Sequence, residues 1–173
     1  SGNAKSRLRM IYLYDYAKKK NGIVIGTDNY TEYLLGFSTI GGDALFDYNP
    51  IKDLWKSDVF ELSRYFLQTY VEKKEYSKAS AAEVSLLLKP MDGLGISTDD
   101  MVQIGARNYY DVDDILQWYI SAGRPDNEEK YPEFIESSLD SFKIKKATIK
   151  RVVDRHKGSE FKRHEYKVNF NLG

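Results

Sequence analysis

The stretch from Gly22 to Val59, GIVIGTDNYTEYLLGFSTIGGDALFDYNPIKDLWKSDV, restricts the fold more than any other part of the chain. Ile23-Val24-Ile25 is wholly apolar and β-branched, entered from Asn21-Gly22 and left through Gly26. That pattern predicts a strand buried on both faces of a parallel sheet. The chain then turns polar at Thr27, Asp28 and Asn29, with Glu32 close behind. In open α/β sheets ligands bind beyond the carboxyl ends of the strands, so this abrupt change reads as a site. Tyr33 to Phe37 is mostly apolar, and Gly41-Gly42-Asp43 and Asp47 then restore flexible backbone and charge before Pro50, as expected of a loop that folds over a ligand.

Four ordered blocks carry a resemblance. They are Asn3-Ala4-Lys5-Ser6-Arg7-Leu8-Arg9-Met10, Gly26-Thr27-Asp28-Asn29-Tyr30-Thr31-Glu32, Gly36-Phe37-Ser38-Thr39-Ile40-Gly41-Gly42-Asp43, and Asp47-Tyr48-Asn49-Pro50-Ile51-Lys52-Asp53-Leu54-Trp55-Lys56. Weaker blocks follow at Gln103 to Ala106 with Tyr110, Val112 and Asp113, and at Ser159 to Arg163. Together they resemble the NAD synthetases, adenylating amide ligases of the ATP pyrophosphatase group, and four blocks in order are far more specific than one short motif. The resemblance implies an α/β fold of the adenine nucleotide alpha-hydrolase-like (Rossmann-like) kind, a parallel sheet flanked by helices. The family's opening S-G-G-x-D-S phosphate loop has no counterpart here. Residues 1–173 therefore read as the carboxyl-terminal portion of one such domain, incomplete on its amino-terminal side and expected to be inactive alone.

Composition sets the remaining bounds. A chain of 173 residues with 42% hydrophobic content is long and apolar enough for one real core. Lys+Arg 26 against Asp+Glu 26 leaves no net charge to draw the chain toward nucleic acid or membranes, although Lys143 to Lys167 is base-rich. Zero cysteines exclude disulfides and thiolate metal sites. No apolar run approaches the roughly 18 residues of a membrane span, so the cytoplasm is the expected location.

Asn3 to Lys20 predicts a helix, ended by three lysines and Gly22, with apolar positions at Leu8, Met10, Ile11, Tyr12 and Tyr14 on more than one side. Such a helix suits packing against its own sheet and a second subunit, and in the family it resembles a dimer element. Ser57 predicts a cap for the next helix, whose Val59, Leu62, Tyr65, Phe66 and Tyr70 would be core. Lys73 to Leu88 predicts further helix, broken at Lys89-Pro90-Met91. Thr98-Asp99-Asp100 reads as a cap, and Asp111 to Ile120 as an amphipathic helix. Residues 121–140 read as a mobile connection with one helical turn, and Lys143 to His156 as helix again. His156 and His164 make no metal motif and read as solvent-exposed.

The resemblance assigns roles by position. Thr27 and Lys56 are implied ATP contacts, Glu32 an implied Mg²⁺ ligand, and Arg7, Asp47 and Lys162 implied contacts to deamido-NAD. Taken alone, Thr27 and Asp47 would be turn or cap residues and Arg7 a solvated helix charge. Two positions depart from the pattern. Ile40 stands where many members have a lysine touching the dinucleotide, and Met91 where many have a hydroxyl contacting ATP. The implied reaction joins ammonia to the nicotinate carboxylate of deamido-NAD, through an adenylate formed from ATP, without a protein nucleophile. The ammonia arrives free or from a glutaminase domain. The alternatives are another adenylating ligase of the same group, and a noncatalytic dimerisation or RNA-binding module.

Overall fold

A computed structural model describes residues 2–87 and 99–163. Its elements in order are α1 (Gly2–Lys20), α2 (Tyr30–Leu35), α3 (Lys56–Glu72), α4 (Tyr76–Leu87), α5 (Asp100–Ile104) and α6 (Tyr109–Ser121). A 3-10 turn (Glu128–Lys130), β1 (Phe134–Glu136), β2 (Lys143–Lys145), α7 (Lys146–Gly158) and a last 3-10 turn (Glu160–Lys162) complete them. The break at Lys89-Pro90-Met91, Thr98 and His164 lie outside the described residues.

The core lies between α6 and α7. Val112, Ile115, Leu116 and Tyr119 recur at helical spacing on α6, and Ile149, Val152, Val153 and His156 do so on α7, so each helix turns one buried stripe to the other. Leu34 and Leu35 of α2, Ile104 of α5, Tyr131 and Ile144 close the same cluster. Each such aliphatic side chain contributes about 1.5–3 kcal/mol by leaving water. α6 starts where Asn108 accepts a hydrogen bond from the Asp111 amide. The antiparallel pair β1–β2 sits beside this core, with Ile135 opposite Ile144.

Several expectations change. The segment 121–140 does hold one helical turn, but it also holds β1. Lys143 to Lys145 is strand, so α7 begins three residues later than its period suggests. His156 is buried with Nδ1 2.9 Å from the Leu34 carbonyl, to which it donates. An apolar helix stripe tolerates an imidazole when a carbonyl takes its N–H.

The helix α3 buries no residue, and Leu62, Tyr65 and Phe66 remain partly exposed. It pairs mainly with α4, and a two-helix layer leaves part of each stripe in solvent. Ser57 does not cap it. Lys56 is its first residue, and Asp58 accepts from the Trp55 amide instead.

Ile23 to Ile25 forms a single parallel bridge, Ile25 to Tyr48, flanked by Gly26 N–H to the Tyr48 carbonyl at 2.7 Å. Val24 is buried, while Ile23 and Ile25 are 62% and 50% exposed, so one face is covered and the other is not. Alternate residues of a strand face opposite sides, and no further described strand pairs with this segment. In α1 only Ser6 and Met10 are buried, and Leu8, Ile11, Tyr12 and Tyr16 are exposed. Among the described residues no helix is long and apolar enough to cross a membrane.

Candidate functional site

The polar turn after Ile25 opens α2, and its first residues are fixed by a reciprocal cap. Asn29 accepts from the Glu32 amide at 3.1 Å, and Glu32 Oε2 accepts from the Asn29 amide at 3.1 Å. Glu32 Oε1 meets Lys56 Nζ at 2.8 Å, with both side chains largely covered, 18% and 17% exposed. The ammonium also lies 5.5 Å from the Tyr109 ring and 5.8 Å from Phe60, which limits its freedom.

Asp113, buried on α6, sets where Lys56 stands. Its Oδ1 accepts from the Thr31 hydroxyl at 2.6 Å and its Oδ2 from the Ser57 amide at 2.8 Å. Thr31 Oγ1 in turn accepts from the Lys56 amide at 2.9 Å. The first N–H groups of α3 are thereby satisfied from α2 and α6, which locks three helices at one point. Burial pushes the Asp113 carboxyl up to about 6, against the lowering effect of the bonds from Thr31 and Ser57.

α2 ends in Gly36 with φ +67°, and its terminal carbonyls are met by α7 and the last described turn of the chain. Arg155 Nε donates to the Leu35 carbonyl at 3.0 Å. Lys162 Nζ donates to the Gly36 and Ser38 carbonyls at 2.6 and 2.8 Å. Arg163 donates to the Leu34 carbonyl at 2.6 Å. A Cβ on Gly36 would stand 2.5 Å from Ser159 Cβ, so both the φ and the close approach require glycine.

The loop after Gly36 is tied to α1. Ser6 and Asp43 exchange two hydrogen bonds, Asp43 also accepts from the Thr39 amide, and Thr39 donates to Asn3. Between these walls lies a cavity of about 380 Å³. Thr27, Asp28, Glu32, Asp43, Arg155 and Lys162 are among its lining residues.

Three of the six residues singled out by sequence, Thr27, Glu32 and Lys162, line this cavity. Lys56 reaches it through Glu32. Arg7 and Asp47 are held elsewhere. Arg7 Nε donates to the Ile40 carbonyl at 3.1 Å. Asp47 accepts from the Val24 amide at 2.7 Å and from the Tyr14 hydroxyl at 3.4 Å, a structural use that joins the strand to α1.

Sequence reasoning placed Asp28 in the polar turn of the site without giving it a role of its own, and passed over Arg155. Asp28 stands inside a quoted block, and burial pushes its carboxyl up to about 7, with Asp43 and Glu32 adding to the rise and Lys56 opposing it. A carboxyl near 7 can hold or release a proton at neutral pH. Arg155 belongs to no block and carried no signal in the sequence. Among the described residues no group of three or more acids or histidines is placed to hold a metal alone. Mg²⁺ needs less, because it binds through one or two carboxylates together with phosphate oxygens. Glu32 uses two of its roughly four lone-pair sites in the cap and ion pair, so its carboxylate fits such a cation.

A family described as NAD synthase matches residues 1–165. The chain is similar to an NH(3)-dependent NAD(+) synthetase from Thermoplasma volcanium, 35% identical over 94% of this chain and 54% of that protein. It is similar to another from Wolinella succinogenes, 40% identical over 60% of this chain and 39% of that protein. The chain thus spans about half the length of the curated relatives it matches, or less. Among solved structures it resembles NMN synthetase from Francisella tularensis, with a TM-score of 0.63, 32% identity, and coverage of 95% of this chain and 53% of that one. It also resembles the NH3-dependent NAD synthetase from Campylobacter jejuni, with a TM-score of 0.53, 25% identity, and coverage of 93% and 51%. The α/β, adenine nucleotide alpha-hydrolase-like fold expected from the sequence is the one shared with these enzymes. With one family pattern running from residue 1 to 165 and that fold reproduced over most of its length, the chain belongs to the NAD synthase family.

Proposed function

We propose that the protein carrying this chain is an NAD synthase that amidates deamido-NAD with ammonia at the expense of ATP. The observation that carries the reading is the meeting of Thr27, Glu32 and Lys162 on one cavity, with Lys56 held against Glu32 at 2.8 Å. In the first step a carboxylate oxygen of the substrate attacks the α-phosphorus of ATP, and the bond to pyrophosphate breaks. In the second step ammonia attacks the acyl carbon, AMP departs, and one proton is released. Both reactants of the first step are anionic, so positive charge must offset their repulsion.

Lys56 supplies one such charge, and its ammonium is presented by the first turn of α3 under the control of Asp113. Glu32 is the residue that would hold Mg²⁺, which when bound neutralises phosphate charge. Thr27 offers a hydroxyl to the nucleotide at the mouth of the cavity, and Lys162 keeps one of three N–H donors for substrate beyond its two carbonyl partners. Arg7 and Asp47, bonded outside the cavity to the Ile40 carbonyl and the Val24 amide, would have to exchange those partners to join the proposed deamido-NAD contacts. Asp28, which lines the same cavity with its carboxyl raised to about 7, is the group assigned to take the proton shed by ammonia.

A second reading, amidation of a mononucleotide to give NMN, is favoured by two observations. Ile40 offers no cation to a dinucleotide, and the match to the Francisella NMN synthetase is higher in identity and TM-score than that to the Campylobacter enzyme. The intact protein, supplied with ATP, Mg²⁺, ammonia and each of the two nicotinate nucleotides, distinguishes them by mass spectrometry. NAD as the favoured product supports the first reading, NMN supports the second, and neither product refutes both.

A further inference from the structure

A second cavity, of about 320 Å³, adjoins the first and shares Gly36, Arg155 and Lys162 with it. Gly158, Ser159 and Phe161 complete its lining, so it contains two cations, one aromatic ring and no carboxylate.

Two features of Arg155 are unusual for a merely structural arginine. Its Nε is spent on the Leu35 carbonyl at 3.0 Å and its guanidinium lies 4.5 Å from the Phe37 ring centre, so the side chain is held from two sides. Yet it makes no ion pair with any acid among the described residues, and its terminal fork has no protein partner among them either. Lys162 likewise lacks an acidic partner within ion-pair reach, and burial together with the charge of Arg155 holds its ammonium below the usual lysine range. Two cations that repel each other at a half-buried wall are stabilised when an anion joins them. An arginine fork with free N–H groups matches phosphate oxygens, and lysine adds a point charge. Beside them Phe161 is 63% exposed and offers a free aromatic face.

We infer that Arg155, Lys162 and Phe161 form a binding subsite for a nucleoside monophosphate, with the phosphate on the two cations and the base against Phe161. The assignment shares Lys162 with the contacts proposed for the substrate and rests on that reading to this extent. Arg155 and Phe161 are additional to it.

The test is titration calorimetry of the intact protein with AMP, inorganic phosphate and adenosine, repeated for Arg155→Met, Arg155→Lys and Phe161→Ala. AMP should bind, and Arg155→Met should weaken it about tenfold or more, as expected for loss of charge-assisted hydrogen bonds. Arg155→Lys should recover part of the loss, which removes impaired folding as an explanation. Phe161→Ala should weaken AMP and adenosine but leave phosphate unchanged. Raising the ionic strength should weaken AMP and phosphate alike and leave adenosine unaffected. Equal AMP affinity in wild type and Arg155→Met overturns the proposal, as does failure of all three ligands to bind at millimolar concentration. Glu32→Gln, run in parallel, separates this site from the catalytic reading. Wild-type AMP binding that depends on Arg155, found together with ATP binding indifferent to Mg²⁺, would remove the catalytic reading and keep the subsite; Mg²⁺-dependent ATP binding that Glu32→Gln abolishes, found together with AMP binding indifferent to Arg155, would do the opposite.

Discussion

Asp28 is the residue at which the chemistry of the cavity is most exposed to test. Its carboxyl lies near 7 in the folded chain and near 3.8 when unperturbed, because burial disfavours the anion and Asp43 and Glu32 repel it. A raised carboxyl stabilises the folded state fully below its unfolded value, and that contribution is lost as pH rises through the folded one. Asp113, raised to about 6, acts in the same direction. The thermal midpoint should therefore fall between pH 5 and pH 8 through these two groups, and Asp28→Asn should flatten the fall. An Asn variant with the same pH dependence as wild type would show that Asp28 titrates normally. Glu32 was legible in the sequence because it closes a block of the family pattern. Arg155 was not, since its task is set by the Leu35 carbonyl and Phe37, more than a hundred residues away in the chain.

The short helix α2 is fixed at both ends by other parts of the chain, which is why a six-residue element holds the site. Isolated helices of this length are unstable in water, so its order derives from Thr31 and Asp113 at the start and from Arg155, Lys162 and Arg163 at the end. Gly36→Ala should destabilise the chain by roughly 1–3 kcal/mol in chemical denaturation, through the positive φ and the approach of Ser159. Unchanged stability would mean that the tail does not press on α2 in solution. The helix α1 was readable from its apolar positions and its lysine-glycine stop, and most of α6 from its amphipathic spacing. The pair β1–β2 was not, because three-residue strands carry too little alternation, and Lys143-Ile144-Lys145 fits a helical period equally well.

Across the whole molecule, the core between α6 and α7 is complete while α1 and the Ile23 to Ile25 segment leave apolar surface open. Leu8, Ile11, Tyr12 and Tyr16 fall on one side of α1, and Ser6 and Met10 on the side that meets the loop. This division supports a homodimer that covers the first side. Sedimentation equilibrium should find a dimer for the intact protein and a shift toward monomer for Ile11→Lys, whereas a monomeric wild type at high concentration would contradict it. The sheet itself was only partly legible: the β-branched run does bridge in parallel, but one exposed face replaces the two buried faces its composition suggests, since burial depends on neighbours that a local pattern does not contain.

The central claim is that Glu32 and Lys56 gather ATP and its metal at the cavity, and Glu32→Gln tests it most directly. A glutamine at this place can keep the reciprocal cap with Asn29 while losing the charge, so α2 stays formed. ATP affinity of the intact protein should be measured with Mg²⁺ and with a chelator, for wild type and for the variant. Wild type should bind ATP more tightly when Mg²⁺ is present, and Glu32→Gln should erase that difference while leaving metal-free affinity within about threefold, well under the ~1.4 kcal/mol that tenfold represents. A Glu32→Gln protein that keeps the full Mg²⁺ dependence would contradict the assignment of the site.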